Sequence, residues 1–266
     1  MKGTTITALG GAIAIVASLL LAQVHPFGDP GLNAATGAQT TLLEHSAVLP
    51  EVRAALIAKC SDCHSNRTHT PLYGRFAPIS WLMERDVLQG RKALNLSRWD
   101  GYTADQQQIL VAKILKKTKS REMPLVQYRI IHRSATITDA DTAAFTKWAR
   151  GFQTPVGASM PNPVAEGDPV RGNDLFKRRC SGCHALTQNR EGPSLHGVYG
   201  RRSGVAAGFS YSAALSAAHI VWDDSTLEKW LTEPDALVPG SNMDFHVANP
   251  QERTDLISFF RKEARP

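Results

Sequence analysis

Cysteine is scarce in this 266-residue chain: there are four, and all four fall in two pentapeptides, CSDCH at 60–64 and CSGCH at 180–184. A scaffold stapled by many disulfides is therefore excluded. The sequence also has no Ser-His-Asp set, no phosphate-binding glycine loop and no paired-carboxylate pocket, which removes the common hydrolytic and phosphoryl-transfer chemistries. Charge is missing from residues 6–24, ITALGGAIAIVASLLLAQV, a run of 19 residues. As a helix that run would reach about 28 Å, close to the roughly 30 Å hydrocarbon core of a bilayer. Ala22-Gln23-Val24 matches an Ala-x-Ala cleavage site poorly, so the run predicts a retained transmembrane anchor over 1–24, with a cleaved signal as the alternative. In both cases the rest of the chain is exported to the periplasmic side of an inner membrane.

A basic excess is absent from the second half. Residues 1–158 hold 18 Lys and Arg against 11 Asp and Glu, and residues 159–266 hold 12 against 13. An exported chain rarely meets nucleic acid, so no nucleic-acid partner is expected; the basic first half reads as a solvated face or as a dock for an acidic protein. The proline-rich stretch at 153–166 has no helical period and reads as a connector. The chain divides accordingly into an anchor at 1–24, a linker at 25–44, a first domain at 45–152, the connector at 153–166 and a second domain at 167–266. The expected fold class is all-α: the transmembrane anchor followed by two small helical domains.

Four thiols in an oxidising compartment could pair as disulfides, and Cys-x-x-Cys also occurs in zinc sites and thioredoxin-like redox motifs. Here each pair is followed at once by His and stands alone, with no βαβ context. Cys-x-x-Cys-His is the attachment signal of c-type haem. Residues three apart share a helix face, so Cys60 and Cys63, or Cys180 and Cys183, can form thioethers along one side of a flat macrocycle. His64 and His184 then present imidazole to the iron. Two covalently attached haem c groups are expected.

Residues 167–266 carry GDPVRGNDLFKRRCSGCH, GPSLHGVYGRRSG, GFSYS, EKWLTEPDALVPGSNM and NPQERTDLISFF. In these segments the sequence resembles the class I cytochromes c, particularly the mitochondrial and cytochrome c2 branch. The resemblance implies His184 as proximal ligand, Met243 as distal ligand and Pro193 as the carbonyl that orients the proximal imidazole. It implies Arg201, Tyr211 and Trp222 at the haem propionates, and puts Trp230 where the family commonly has Tyr near the distal Met. Gly172, Phe176, Leu256 and Phe259 match the crossing of the terminal helices. Two departures stand out: the loop from His184 to Gly192 is short, and Asn242 replaces the Lys that usually precedes the distal Met, removing one charge from the face that docks partners. Lys177, Arg178 and Arg179 remain beside the motif.

The first half, with CSDCHSNRT, APISW, GRKALNLSRW and MPLVQYRIIH, resembles the haem-binding domain of bacterial mono- and multihaem proteins. For the far side of its iron, Met123 is the first candidate, because Met-Pro ends a basic helix expected over about 103–121; Met83, His69 and His132 are the others. His64 to Met123 and His184 to Met243 are both 59 residues. A further helix is expected in ITDADTAAFTKWAR, capped by Thr138 or Asp139, with Phe145 and Trp148 in the core. Axial His and Met leave no open iron position, which favours electron transfer over catalysis. The expected function is a membrane-anchored periplasmic dihaem cytochrome c carrying single electrons between respiratory or photosynthetic complexes, not an enzyme. The alternatives are a permanent cytochrome subunit of a dehydrogenase, oxidase or photosynthetic complex and, behind that, a dihaem peroxidase.

Overall fold

The computed structural model describes residues 2–32, 43, 48–152 and 165–264. The expected linkers at 25–44 and 153–166 and the start of the first domain at 45 fall largely outside them. The described residues are helical, with one isolated bridge between Arg202 and Val221. Contacts divide the chain into two compact units, one of residues 1–101 and 128–136, the other of residues 102–127 and 137–266.

The first unit opens with α1, Lys2–Leu21. The expectation of an N-terminal transmembrane anchor is overturned here: among the described residues no helix is long and apolar enough to cross a membrane. Two features of the sequence account for this. The helix stops at Leu21, so only 6–21 of the uncharged run is helical, about 24 Å against the roughly 30 Å required. The Gly10-Gly11 pair also interrupts the apolar run.

The end of α1 is tied into the unit. Ser18 Oγ donates to the Ala77 carbonyl at 2.7 Å, and the Trp81 indole N–H donates to the Val24 carbonyl at 2.8 Å. His25 Nδ1 lies 2.7 Å from the buried Glu84 carboxylate. Pro at the first turn starts α2, Pro50–Lys59, whose Val52, Ala55 and Leu56 are buried. The four-residue turn α3, Ser61–His64, carries the first motif and packs against α4, Ile79–Ala93. That packing depends on Gly90, where a Cβ would fall 2.6 Å from the Cys63 carbonyl oxygen.

In the second unit, Thr103 caps α5, Ala104–Lys119, in a capping box with Gln106. Thr138 rather than Asp139 caps α7, Asp139–Gly151, in the same way with Asp141; α6, Val126–Ile131, lies between them in sequence. The apolar stripe of α5, Leu110, Val111, Ile114 and Leu115, is buried, as are Phe145 and Trp148 of α7, and the two helices pack together.

Asp168 caps α8, Pro169–Leu175, which widens into a π-helical turn at Phe176–Cys180 leading into the second motif. After a long looped stretch come α9, Ala213–Ala217, α10, Asp224–Thr232, α11, Pro234–Leu237, and α12, Pro250–Glu263. The tightest crossing is α8 on α12. At Gly172 a Cβ would sit 2.1 Å from the Asp255 carbonyl oxygen and 2.7 Å from Phe259 Cβ, and Phe176, Leu256 and Phe259 are buried around it.

Arg171 locks this crossing by donating from Nε and an Nη to the two oxygens of Asp255, each at 2.9 Å. Burial pushes the Asp255 carboxyl up, but Arg171, the Asp168 N–H and Gln251 together hold it below the ordinary carboxylate range. A carboxyl whose folded pKa lies below its unfolded value contributes stability above the unfolded value and loses it as pH falls through the folded one. Thermal unfolding followed from pH 6 downward should therefore show the wild type losing its advantage over Asp255→Asn below pH 3.8, the unperturbed value. A constant gap between the two across that range would contradict the assignment.

Candidate haem sites

In the second unit the wide turn and the start of the following loop bring Cys180, Cys183 and His184 to one wall of a cavity of about 410 Å³. Met243, Arg201, Tyr211, Trp222 and Trp230 line the same cavity, and Pro193 borders it. The structure thus brings together every site residue the sequence nominated in this half. The His184 ring is held from two sides. Its Nδ1 lies 2.8 Å from the Pro193 carbonyl, to which it donates, leaving the Nε2 lone pair available to a metal. Its ring lies against Gly192, where a Cβ would fall 2.2 Å from His184 Cε1.

Burial lowers the His184 pKa and favours the neutral, ligating imidazole. It pushes the Cys180 thiol up to about 12 and raises Cys183 as well. Thiols held protonated in this way are the reverse of the low-pKa cysteines of disulfide oxidoreductases. Zinc fares no better: the described residues contain no group of three or more His, Cys, Asp or Glu placed to hold a metal ion. No two of the four cysteines are joined in a disulfide.

The other walls suit a flat, largely apolar group with a charged edge. Trp222 and Trp230 are buried with ring centroids 5.2 Å apart. Arg201 donates to the carbonyls of Ser194 and His196, while its buried Nε has no partner. The Tyr211 hydroxyl accepts from the Ala206 N–H and keeps its own proton to donate. An unpartnered guanidinium nitrogen and a free hydroxyl fit carboxylate groups such as haem propionates.

The first unit repeats the proximal half of this arrangement. His64 Nδ1 lies 3.2 Å from the Leu94 carbonyl, again leaving Nε2 for a metal, and burial lowers the His64 pKa. The Cys63 thiol is pushed up to about 11, by burial first and then by Asp62 and Asp86. Of the candidates for the far side, His132 has both ring nitrogens engaged, Nδ1 with the Tyr128 carbonyl at 3.2 Å and Nε2 with the Tyr73 hydroxyl at 3.1 Å. Met83 packs on Gly74, where a Cβ would lie 2.5 Å from its sulfur. His69 is exposed. Met123 is half-buried, its N–H bonded to the Lys117 carbonyl at 3.1 Å, and it belongs to the second unit.

Sequence comparison adds decisive observations. The haem-binding domain family matches residues 17–151, half of the chain, and the cytochrome c family matches 169–263. Cytochrome c of Arabidopsis thaliana is 41% identical over 104 residues, covering 38% of this chain and 93% of that protein. This chain belongs to the haem-binding domain and cytochrome c families. Cytochrome c of Cochliobolus lunatus is 40% identical over 104 residues, 38% of this chain and 96% of its own. Among solved structures, cytochrome cH from Methylobacterium extorquens shares 35% identity over 36% of this chain and 99% of that one, with a TM-score of 0.35.

As a two-domain cytochrome c, the protein carries two covalent haem c groups and is an electron-transfer haemoprotein. The haem-binding match begins at residue 17, inside α1, where Ser18 is bonded to Ala77. Three functional positions escaped the sequence reading. Gly192 was visible only as part of a Gly-Pro pair, whereas Leu94 as acceptor for His64 and Gly90 as seat for Cys63 lie about thirty residues from the motif and depend on tertiary packing.

Proposed function

We propose that the protein passes single electrons between redox protein partners on the periplasmic side through two haems, one of which His64 and Met123 would hold and the other His184 and Met243. The observation that carries this reading is the cavity of the second unit, which Met243, the paired cysteines and a His184 oriented by Pro193 line together, with burial favouring the neutral imidazole. Haem supplies the Fe(III)/Fe(II) couple. Cys60, Cys63, Cys180 and Cys183 would attach the groups, and His64, His184, Met123 and Met243 would supply the iron ligands. Pro193 and Leu94 hold the imidazoles in place. Arg201, Tyr211 and Trp222 would hold the propionates of the second haem, and Trp230, buried and tilted against Trp222, would exclude water beside Met243.

A Met thioether on the iron would favour Fe(II) and raise the potential, and with His and Met both bound, oxygen and peroxide would find no place on it. The periplasmic location is supported by the uncharged stretch 6–24 and by the cytochrome c family itself. The weakest-placed ligand decides the reading for the first haem. Met123→Ala should remove the far-red Met–Fe(III) band of one haem while the other keeps its band. An oxidised spectrum identical to that of the wild type would move the distal ligand elsewhere and end the Met123 assignment.

A further inference from the structure

The second haem cavity is not closed by the cytochrome c segment alone. Helix α5 precedes the 169–263 match by some fifty residues, yet Ile109, Ala112, Lys113 and Lys116 line the cavity beside Cys180 and Cys183. Ile109 lies against the middle of the motif: a Cβ on Gly182 would be 3.0 Å from Ile109 Cγ2.

Around this apolar contact the helix is fastened on three sides. On the motif side, Arg179 donates to the Gln108 side-chain oxygen and pairs with Asp105 at 3.5 Å. On the proximal side, Lys113 pairs with Glu191 at 3.3 Å, and Lys116 donates to the Glu191 carbonyl. On the distal side, Lys119 pairs at 2.6 Å with Asp244, the residue after Met243, and the buried Gln108 donates to the His246 carbonyl at 2.9 Å.

We propose that α5 is a built-in partner of the second haem site. The basic KILKKTKSR segment docks on the acidic rim formed by Glu191 and Asp244, covers the haem edge beside the thioether cysteines, and keeps external redox proteins off that edge. The inference rests on the haem reading of the cavity. Charge complementarity, a buried amide bridge and apolar contact coincide in one place, as in a protein interface.

The test uses the full-length, haem-loaded chain and compares wild type with a triple variant, Lys113→Glu, Lys116→Glu and Lys119→Glu. Oxidation of the ferrous second haem is followed with two one-electron oxidants of opposite charge. Ferricyanide takes one electron to give ferrocyanide, and tris(phenanthroline)cobalt(III) takes one to give the cobalt(II) complex; in each case the haem iron becomes Fe(III). Uncovering the edge should speed both reactions by roughly tenfold, since two ion pairs and one lysine–carbonyl bond together contribute about one decade in the open–closed equilibrium. Adding Glu191→Lys and Asp244→Lys should restore the slow rates with both oxidants.

A slower reaction with the anion and a faster one with the cation would report surface charge alone and overturn the proposal, as would unchanged rates. Independently, zero-length carbodiimide coupling of the wild type should join Lys119 to Asp244 and Lys113 to Glu191. Absence of both cross-links in a protein with two normal haem spectra would defeat the cover, whereas loss of the second haem spectrum in the wild type would defeat the haem reading instead.

Discussion

Met243→Ala should leave the second haem covalently attached and yet change what its iron does. Cys180 and Cys183 are untouched, so the mass of the denatured protein should fall only by the side-chain difference. The far-red thioether band of that haem should vanish, its ferric form should become high-spin, and its midpoint potential should drop on the order of a few tenths of a volt, a fraction of the roughly 0.8 V that axial ligands span. The reasoning is local. Met243 is the thioether of this cavity, and the residues that flank it, Asn242 and Asp244, offer no soft donor to take its place. Potentiometric titration with optical detection checks this directly; a potential within experimental error of the wild type would place the distal ligand elsewhere.

Gly172→Ala should produce the largest loss of stability of any single substitution in the second domain. The added methyl would lie 2.1 Å from a backbone oxygen of Asp255 and 2.7 Å from Phe259 Cβ, neither of which is the movable end of a flexible side chain. Helices α8 and α12 must therefore separate, which costs about 3 kcal/mol or more by analogy with overpacked cores. The apparent Tm should fall by roughly 15 °C for a domain of this size. Because α8 leads straight through the wide turn into Cys180, the displaced helix should also lower the yield of protein bearing the second haem. Thermal melts of the purified variant decide the matter, and a Tm within a degree or two of the wild type would show that the crossing gives way without cost.

Much of this was readable before the fold, because the informative features are local. The capping boxes of Thr103 with Gln106 and Thr138 with Asp141 depend on residues three apart, and both helices begin where those pairs place them. Cys-x-x-Cys-His acts over a single turn. The ordered segments around Pro193, Arg201, Tyr211, Trp222, Trp230 and Met243 converge on one cavity. What the sequence misjudged was α1. An uncharged run carries no marker of where its helix stops, and the end at Leu21 coincides with tertiary ties from Ser18 to Ala77 and from Trp81 to the Leu21 and Val24 carbonyls. The role of α5 was equally illegible: a basic helix reads as solvated until its acidic counterparts, 75 and 125 residues away, are seen beside it.

The central claim is that both irons are closed on both faces, so that electrons pass and small substrates do not bind. Electron paramagnetic resonance of the fully oxidised, full-length protein at neutral pH tests it most directly. The account predicts two low-spin ferric signals in equal amount and no response when peroxide is added; a high-spin signal from either haem, or turnover of peroxide, would contradict it.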